Sequence, residues 1–83
     1  MKLLYFAWVR ERIGSAEEEI SLPSEINTVA ELLQWLKLKS EGHALALEEV
    51  NRLRIAVNQE YVKGSKPISD EDEVAIFPPV TGG

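Results

Sequence analysis

The sequence contains no cysteine, so the chain forms no disulfide and offers neither a thiolate nucleophile nor a cysteine ligand for a metal. Histidine occurs once, and a lone His43 cannot build the usual zinc site; we interpret it as a surface or capping residue. No GxGxxG or P-loop spacing is present. We therefore expect no cofactor, metal or nucleotide to be bound by this chain.

Long apolar runs and an excess of basic residues are also lacking. The apolar start, residues 1–9, is too short for a signal peptide or a membrane span. Nine Lys and Arg against fourteen Asp and Glu give a net charge of −5, which disfavours binding to nucleic acid phosphates. We expect a cytoplasmic protein that binds neither nucleic acid nor membrane, and the negative charge favours a basic protein as its partner.

The 83 residues, 45% of them apolar, are enough for one small domain with a modest core. Alternation over residues 1–8 predicts a first strand that is apolar on both faces, so that one face is free for a partner. Residues 19–22 predict a second strand, joined to the first as a hairpin by a turn at Gly14 and Ser15. Thr28 and Glu31 form a capping-box pattern, which predicts an amphipathic helix over residues 28–39.

The second half of the chain predicts a short helix over 43–50 and strands over 53–57, near Tyr61 and over 74–77. The order of elements predicts an α+β β-grasp (ubiquitin-like) fold, with a mixed sheet, one main amphipathic helix and a short second helix. The last strand is expected to lie centrally, next to the first. Residues 1–77 would then form the domain, and residues 78–83 an extended, flexible C-terminal tail.

Two other patterns have ordinary structural explanations. The acidic run of residues 70–73 lacks the spacing of a calcium loop and is interpreted as a solvated turn. Trp8 and Trp35 are interpreted as core or interface residues, because no basic stripe is interleaved with the aromatic residues.

The tail is the part of the sequence best suited to chemistry. Pro78 and Pro79 favour an extended segment, and Gly82 and Gly83 have no Cβ, so they can enter a narrow channel in another protein. A carboxylate becomes reactive when ATP converts it into an acyl adenylate, which a sulfur nucleophile can attack. The activating groups would have to come from another protein.

The chain resembles the small subunits of molybdopterin synthase, which are ubiquitin-like sulfur carriers of molybdenum cofactor synthesis. The resemblance lies in LLYFAWVRERIG, ALALEE, AVNQEYV and above all DEVAIFPPVTGG. It implies that Gly83 is adenylated by a ubiquitin-activating-like adenylyltransferase that uses ATP, and then receives sulfur from a sulfurtransferase. Sulfur would be carried as a C-terminal thiocarboxylate and donated to cyclic pyranopterin monophosphate.

The resemblance also implies a heterotetramer of two small and two large subunits, with the acid–base groups supplied by the large subunit. The isolated chain would then be a monomer and no catalyst, although it is the sulfur-donating subunit of an enzyme. Arg10 and Arg12 would contribute rim contacts. The residues implied at the partner interface are Phe6, Tyr61, Phe77, Pro78, Pro79, Val80 and Thr81. The alternative is that the three aromatic residues, Phe6, Tyr61 and Phe77, are ordinary buried residues of the core and contact no partner.

Three other functions remain compatible with a Gly-Gly ending. A ubiquitin-like protein modifier would join Gly83 to lysines of target proteins. A sulfur carrier for thiazole synthesis or tRNA thiolation would use the same tail chemistry in another pathway. A β-grasp binding module would leave the tail without a chemical role.

Overall fold

The computed structural model describes residues 1–79 as a five-stranded mixed sheet packed against helices. Its strands are β1 (Lys2–Tyr5), β2 (Glu17–Glu19), β3 (Arg54–Val57), β4 (Glu60–Val62) and β5 (Glu73–Phe77). Its helices are α1 (Ala7–Ile13), α2 (Val29–Lys37) and α3 (Glu41–Ala46), followed by a 3₁₀ turn at Val50–Arg52.

The sheet has the strand order β2-β1-β5-β3-β4, so the last strand lies at its centre. β5 pairs in parallel with β1 and antiparallel with β3. These pairings confirm the expected position of the last strand beside the first. The arrangement confirms the α+β β-grasp fold.

The main helix begins as the capping-box pattern predicts. The Thr28 side chain accepts a hydrogen bond from the Glu31 backbone N–H at 3.3 Å, and the Glu31 carboxylate accepts from the Thr28 backbone N–H at 3.1 Å. The apolar stripe of α2 is buried, with Leu32 and Leu36 fully inaccessible. It packs against the inward-facing residues of the sheet, among them Leu3, Tyr5, Ile55, Val57, Val74 and Ile76.

The prediction that the first strand runs through Trp8 is wrong. β1 ends at Tyr5, Phe6 precedes a helix, and α1 lies between β1 and the predicted turn at Gly14 and Ser15. The strands β1 and β2 do pair antiparallel, but β2 lies at Glu17–Glu19 rather than at residues 19–22. α1 ends at Gly14, whose φ of 89° is a left-handed conformation that glycine adopts without strain.

The short second helix lies slightly earlier than predicted, at Glu41–Ala46 rather than at residues 43–50. It packs against both α1 and α2. No helix within residues 1–79 is long and apolar enough to cross a membrane.

Candidate functional site

Three aromatic side chains form a cluster on the sheet surface where the tail begins. The rings of Phe6 and Phe77 meet edge to face, with centroids 6.4 Å apart and planes at 87°. Tyr61 stacks obliquely on the other side of Phe77 at 5.7 Å. We call Phe6, Tyr61 and Phe77 the aromatic cluster.

The aromatic cluster is exposed, so the alternative that all three residues belong to the core is wrong. Phe6 is 46% exposed and Tyr61 78%, while Phe77 is half-buried between them. Exposed aromatic residues that contact one another are typical of protein–protein interfaces, where such side chains contribute most of the binding free energy. Phe6, Tyr61 and Phe77 are far apart in the sequence, and in the fold they form one continuous exposed surface.

The cluster continues onto the face of the sheet that lies opposite the core. Leu4 is in register with Ala75, Ala75 with Ala56, and Ala56 with Tyr61. Side chains in register on neighbouring strands point to the same face. Ala56 in β3 and Ala75 in β5 have small side chains, which leaves this face of the sheet flat. A flat partner surface can therefore approach the aromatic rings.

Backbone geometry fixes the position of Phe6. Its N–H donates to the Ile76 carbonyl at 3.2 Å, and its own carbonyl accepts from Val9 and Arg10 at the start of α1. The next residue, Ala7, has a φ of 52°, a left-handed conformation that is costly for a residue with a Cβ. The chain thus turns sharply after Phe6 and holds its ring beside Phe77.

The structure includes only the first part of the tail. Pro78 and Pro79 are half-buried and follow Phe77 directly. Val80, Thr81, Gly82 and Gly83, which the sequence assigns to the partner interface and to the reactive end, lie outside the described residues. The roles of the tail residues and of the aromatic cluster stay predictions.

Two arginines expected at the rim lie on α1, and the structure resolves a contact for one of them. The Arg12 guanidinium lies over the Trp8 ring at 4.4 Å, and it donates to the Leu45 carbonyl at 3.2 Å. Trp8 and Trp35 are both partly buried and pack against the core. Arg10 is exposed in the last turn of α1.

A partly buried polar network, which the sequence patterns did not indicate, lies on the core side of the sheet. Glu18 Oε1 accepts from the Tyr5 hydroxyl at 2.8 Å and from His43 Nε2 at 2.6 Å. Lys39 Nζ lies 3.3 Å from Glu18 Oε2, and Ser40 Oγ lies 2.7 Å from His43 Nδ1. His43 is 6% exposed, so its interpretation as a surface or capping residue is wrong; the residue that caps α3 is Ser40.

Burial and hydrogen bonding shift two pKa values in this network. Burial, followed by the hydrogen bond to Glu18, raises the pKa of Tyr5. Burial alone would raise the pKa of Glu18, but its hydrogen bonds with His43, Tyr5 and Lys39 together lower it. The network therefore holds Glu18 as a carboxylate. Within residues 1–79, every buried side-chain nitrogen and oxygen atom has a hydrogen-bond partner.

The acidic run is a turn, as expected, but two of its carboxylates make structural contacts. Asp70 accepts from the Leu22 N–H at 2.7 Å and from the Met1 amine at 3.1 Å. Asp72 accepts from Asn58 at 2.9 Å and from the Ser69 N–H at 2.8 Å. Within residues 1–79, no group of three or more His, Asp and Glu side chains is placed to hold a metal ion.

The fold and its exposed face define a ubiquitin-like β-grasp protein that has its aromatic cluster at the base of a C-terminal tail. The chain belongs to the ThiS family, which matches residues 3–83. It is 46% identical over 83 residues to the molybdopterin synthase sulfur carrier subunit of Escherichia coli strain K12, covering 100% of this chain and 99% of that one. It is 35% identical over 86 residues to the subunit of the same name from Homo sapiens, covering 100% and 93%.

Solved structures agree with this assignment. A candidate molybdopterin converting factor subunit 1 from Pyrococcus furiosus superposes with a TM-score of 0.76 at 35% identity, covering 95% of each chain. The small archaeal modifier protein 1 of Haloferax volcanii gives 0.74 at 26% identity, covering 96% and 97%. A chain in a complex of subunits 1 and 2 of the molybdopterin-converting factor from Helicobacter pylori gives 0.65 at 25% identity, covering 99% and 96%.

Proposed function

We propose that this chain is the sulfur carrier subunit of a molybdopterin synthase and acts in the cytoplasm. The observation that carries the proposal is the match to sulfur carrier subunits over the whole chain, at 46% identity in one case. The aromatic cluster supports it, because a partner that covers Phe6, Tyr61 and Phe77 would also hold the base of the tail. No catalytic group is required in this chain, since its part is to present a carboxylate.

The chemistry proposed for Gly83 starts with activation by an adenylyltransferase. A carboxylate oxygen attacks the α-phosphorus of ATP, and pyrophosphate leaves to give an acyl adenylate. The terminal sulfur of a persulfide on a sulfurtransferase then attacks the carbonyl carbon and displaces AMP. A thiol reduces the resulting acyl disulfide and is itself oxidised to a disulfide, which releases the C-terminal thiocarboxylate.

The thiocarboxylate sulfur is proposed to react next with cyclic pyranopterin monophosphate in the active site of a large subunit. The sulfur forms a bond to an electrophilic carbon of the pterin side chain, and the bond from that carbon to its oxygen substituent breaks, with the oxygen group leaving. Hydrolysis of the acyl–sulfur bond then leaves the sulfur on the pterin and returns Gly83 to a carboxylate. Gly82 would allow the end of the tail to pass through a narrow channel, because it has no Cβ. Two such transfers supply the two sulfur atoms of the dithiolene.

The large subunit is the proposed partner at the aromatic cluster, within a heterotetramer of two small and two large subunits. A related chain from Helicobacter pylori is described in a complex of subunits 1 and 2, which supports a two-subunit assembly. Pro78, Pro79, Val80 and Thr81 would contact the same partner along the path of the tail.

The test is the intact mass of the chain after incubation with an activating enzyme, ATP and a sulfur donor. Replacement of one oxygen by sulfur is the expected mass change, and it should be absent without ATP and after deletion of Gly83. An unchanged mass, with an enzyme that is active on another carrier, would contradict the proposal.

A second candidate function is that of a protein modifier. Its support is the likeness to the small archaeal modifier protein 1 at a TM-score of 0.74. This function requires the activated Gly83 to react with a lysine amine, giving an isopeptide bond and no lasting thiocarboxylate. Mass spectrometry of digested cell extracts for lysines that carry the C-terminal peptide of this chain distinguishes the two functions; because the last Lys and Arg residues are Lys63 and Lys66, that peptide is longer than Gly-Gly.

A further inference from the structure

An apolar groove lies beside the edge strand β4, on the face of the sheet opposite the aromatic cluster. It has a volume of about 620 Å³ and runs between α2 and strands β3 and β4. Its floor is formed by Val29 and Leu33 of α2 and by Leu53, Ile55 and Val62 of the sheet side. The groove therefore offers an apolar contact surface to a side chain of another protein.

The charges around this groove are of one sign. Arg54 and Lys63 are its only charged lining residues, although the chain as a whole carries a net charge of −5. Both are exposed, and within residues 1–79 neither has a carboxylate within 4.0 Å. Three other cations are paired, Lys2 with Glu17, Lys39 with Glu18 and Arg52 with Glu49. The remaining Lys and Arg side chains do not line this groove. An acidic ligand fits these two cations.

The edge of the sheet adds backbone groups to the same groove. Among the strands of residues 1–79 the order ends at β4, which pairs there only with β3. An edge strand presents N–H and C=O groups that an extended segment of a partner can pair with. Apolar side chains of such a segment would enter the groove, and its carboxylates would face Arg54 and Lys63.

Tyr61 connects the groove with the aromatic cluster. It lines the groove, and its ring stacks on Phe77 on the opposite face of the sheet. Arg54 is likewise shared, because it is in register with Phe77 across β3 and β5. A partner that covers the cluster thus reaches the groove across one continuous surface.

We propose that the groove binds an acidic, partly apolar segment of the large subunit that receives the tail. This inference rests on the proposed function and adds a second contact to it. The cluster would provide apolar contact at the base of the tail. The groove would fix the orientation of the domain and make association depend on ionic strength, because Arg54 and Lys63 attract carboxylates.

The experiment compares the affinity of the wild-type chain and of the Arg54→Glu/Lys63→Glu variant for the purified large subunit by calorimetry at low and high salt. The variant is expected to bind at least about tenfold more weakly at low salt, with a smaller salt dependence. Hydrogen exchange of residues 60–64 in the complex is expected to slow in the wild type and not in the variant. Arg52→Glu is the matched control, since Arg52 is paired with Glu49 and does not line the groove.

The outcomes separate this inference from the proposed function. If Arg54→Glu/Lys63→Glu binds with wild-type affinity and Phe77→Asp does not bind, the proposed binding at the groove is overturned. Docking at the aromatic cluster is then left intact. If both variants bind with wild-type affinity, binding at the groove and docking at the aromatic cluster are both overturned. If the charge-reversal variant does not fold by circular dichroism, Arg54→Gln/Lys63→Gln replaces it, and unchanged affinity and salt dependence of that variant overturn the inference.

Discussion

Tyr5 and Phe6 are consecutive residues whose side chains lie on opposite sides of the sheet. Tyr5 is 1% exposed and donates its hydroxyl to Glu18 in the partly buried network. Phe6 is 46% exposed and contacts Phe77 in the aromatic cluster. Substitutions at these two neighbouring positions should therefore act on different properties: a change of Tyr5 on stability and a change of Phe6 on association.

Phe77→Asp should weaken binding to the large subunit at least about thirtyfold, because a central aromatic contact is lost and a carboxylate is buried in its place. Calorimetric titration of the two subunits measures the effect. The thermal unfolding of the variant should remain cooperative, since Phe77 is not among the buried core residues. Leu38→Asp is the control: Leu38 is 87% exposed at the end of α2, away from the cluster, and should leave the affinity unchanged.

Ala7→Gly should increase the free energy of unfolding by about 1 kcal/mol, because glycine adopts the φ of 52° at this position without a clash of its Cβ. Ala44→Gly, at an exposed position in α3, should decrease it by about 0.5–1 kcal/mol. Urea unfolding of both variants measures the two changes. Equal losses of stability in the two variants would show that Ala7 is not strained.

Glu18→Gln should lower the free energy of unfolding at neutral pH by about 1–3 kcal/mol, because the charged acceptor of Tyr5 and His43 is lost. The pKa of Glu18 is lowered in the folded chain, so its stabilisation is complete above the ordinary value of 4.5 and is lost as the pH falls through the folded pKa. The variant should thus lose less stability than the wild type on acidification below 4.5.

Urea unfolding at a series of pH values tests this expectation. Part of the acid dependence should remain in Glu18→Gln, because hydrogen bonds also lower the pKa of Asp70 and Asp72. Glu17→Gln is the control, since Glu17 is exposed on the same strand and pairs only with Lys2 at the surface. Parallel stability curves for wild type and Glu18→Gln would contradict the expectation.

Thr28→Ala should lower the free energy of unfolding by about 1 kcal/mol, because the Glu31 N–H at the start of α2 loses its acceptor. Thr28→Ser keeps the hydroxyl and should retain most of the stability. Urea unfolding and helical circular dichroism measure both variants. A Thr28→Ser variant as unstable as Thr28→Ala would assign the effect to the methyl group instead of the cap.

The elements that depend on local pattern could be predicted from the sequence. The start of α2 follows from Thr28 and Glu31, which satisfy each other's backbone donors within four residues. The central position of the last strand beside the first could also be predicted, because the order of the elements is that of a β-grasp fold. Exposure of the aromatic cluster was implied by the family resemblance, whereas periodicity alone left burial in the core as an alternative.

The helix α1 was missed because the alternation of residues 1–8 continues past the true end of the strand. The chain leaves the strand at Ala7 through a left-handed φ, which no common sequence signal encodes for alanine. Val9 and Ile13, four residues apart and followed by Gly14, were the available helical signal. The network around Glu18 was missed for a different reason, since it joins residues 13 and 25 positions apart.

The pairing of β5 also determines how the domain responds to force. A partner that draws the end of the chain into a channel pulls along β5, which is hydrogen-bonded to β1 on one side and to β3 on the other. Such a pull loads these hydrogen bonds together in shear instead of breaking them one after another. Under the proposed function the core would then stop the chain at a fixed depth, so that the number of residues after β5 would set how far its end enters.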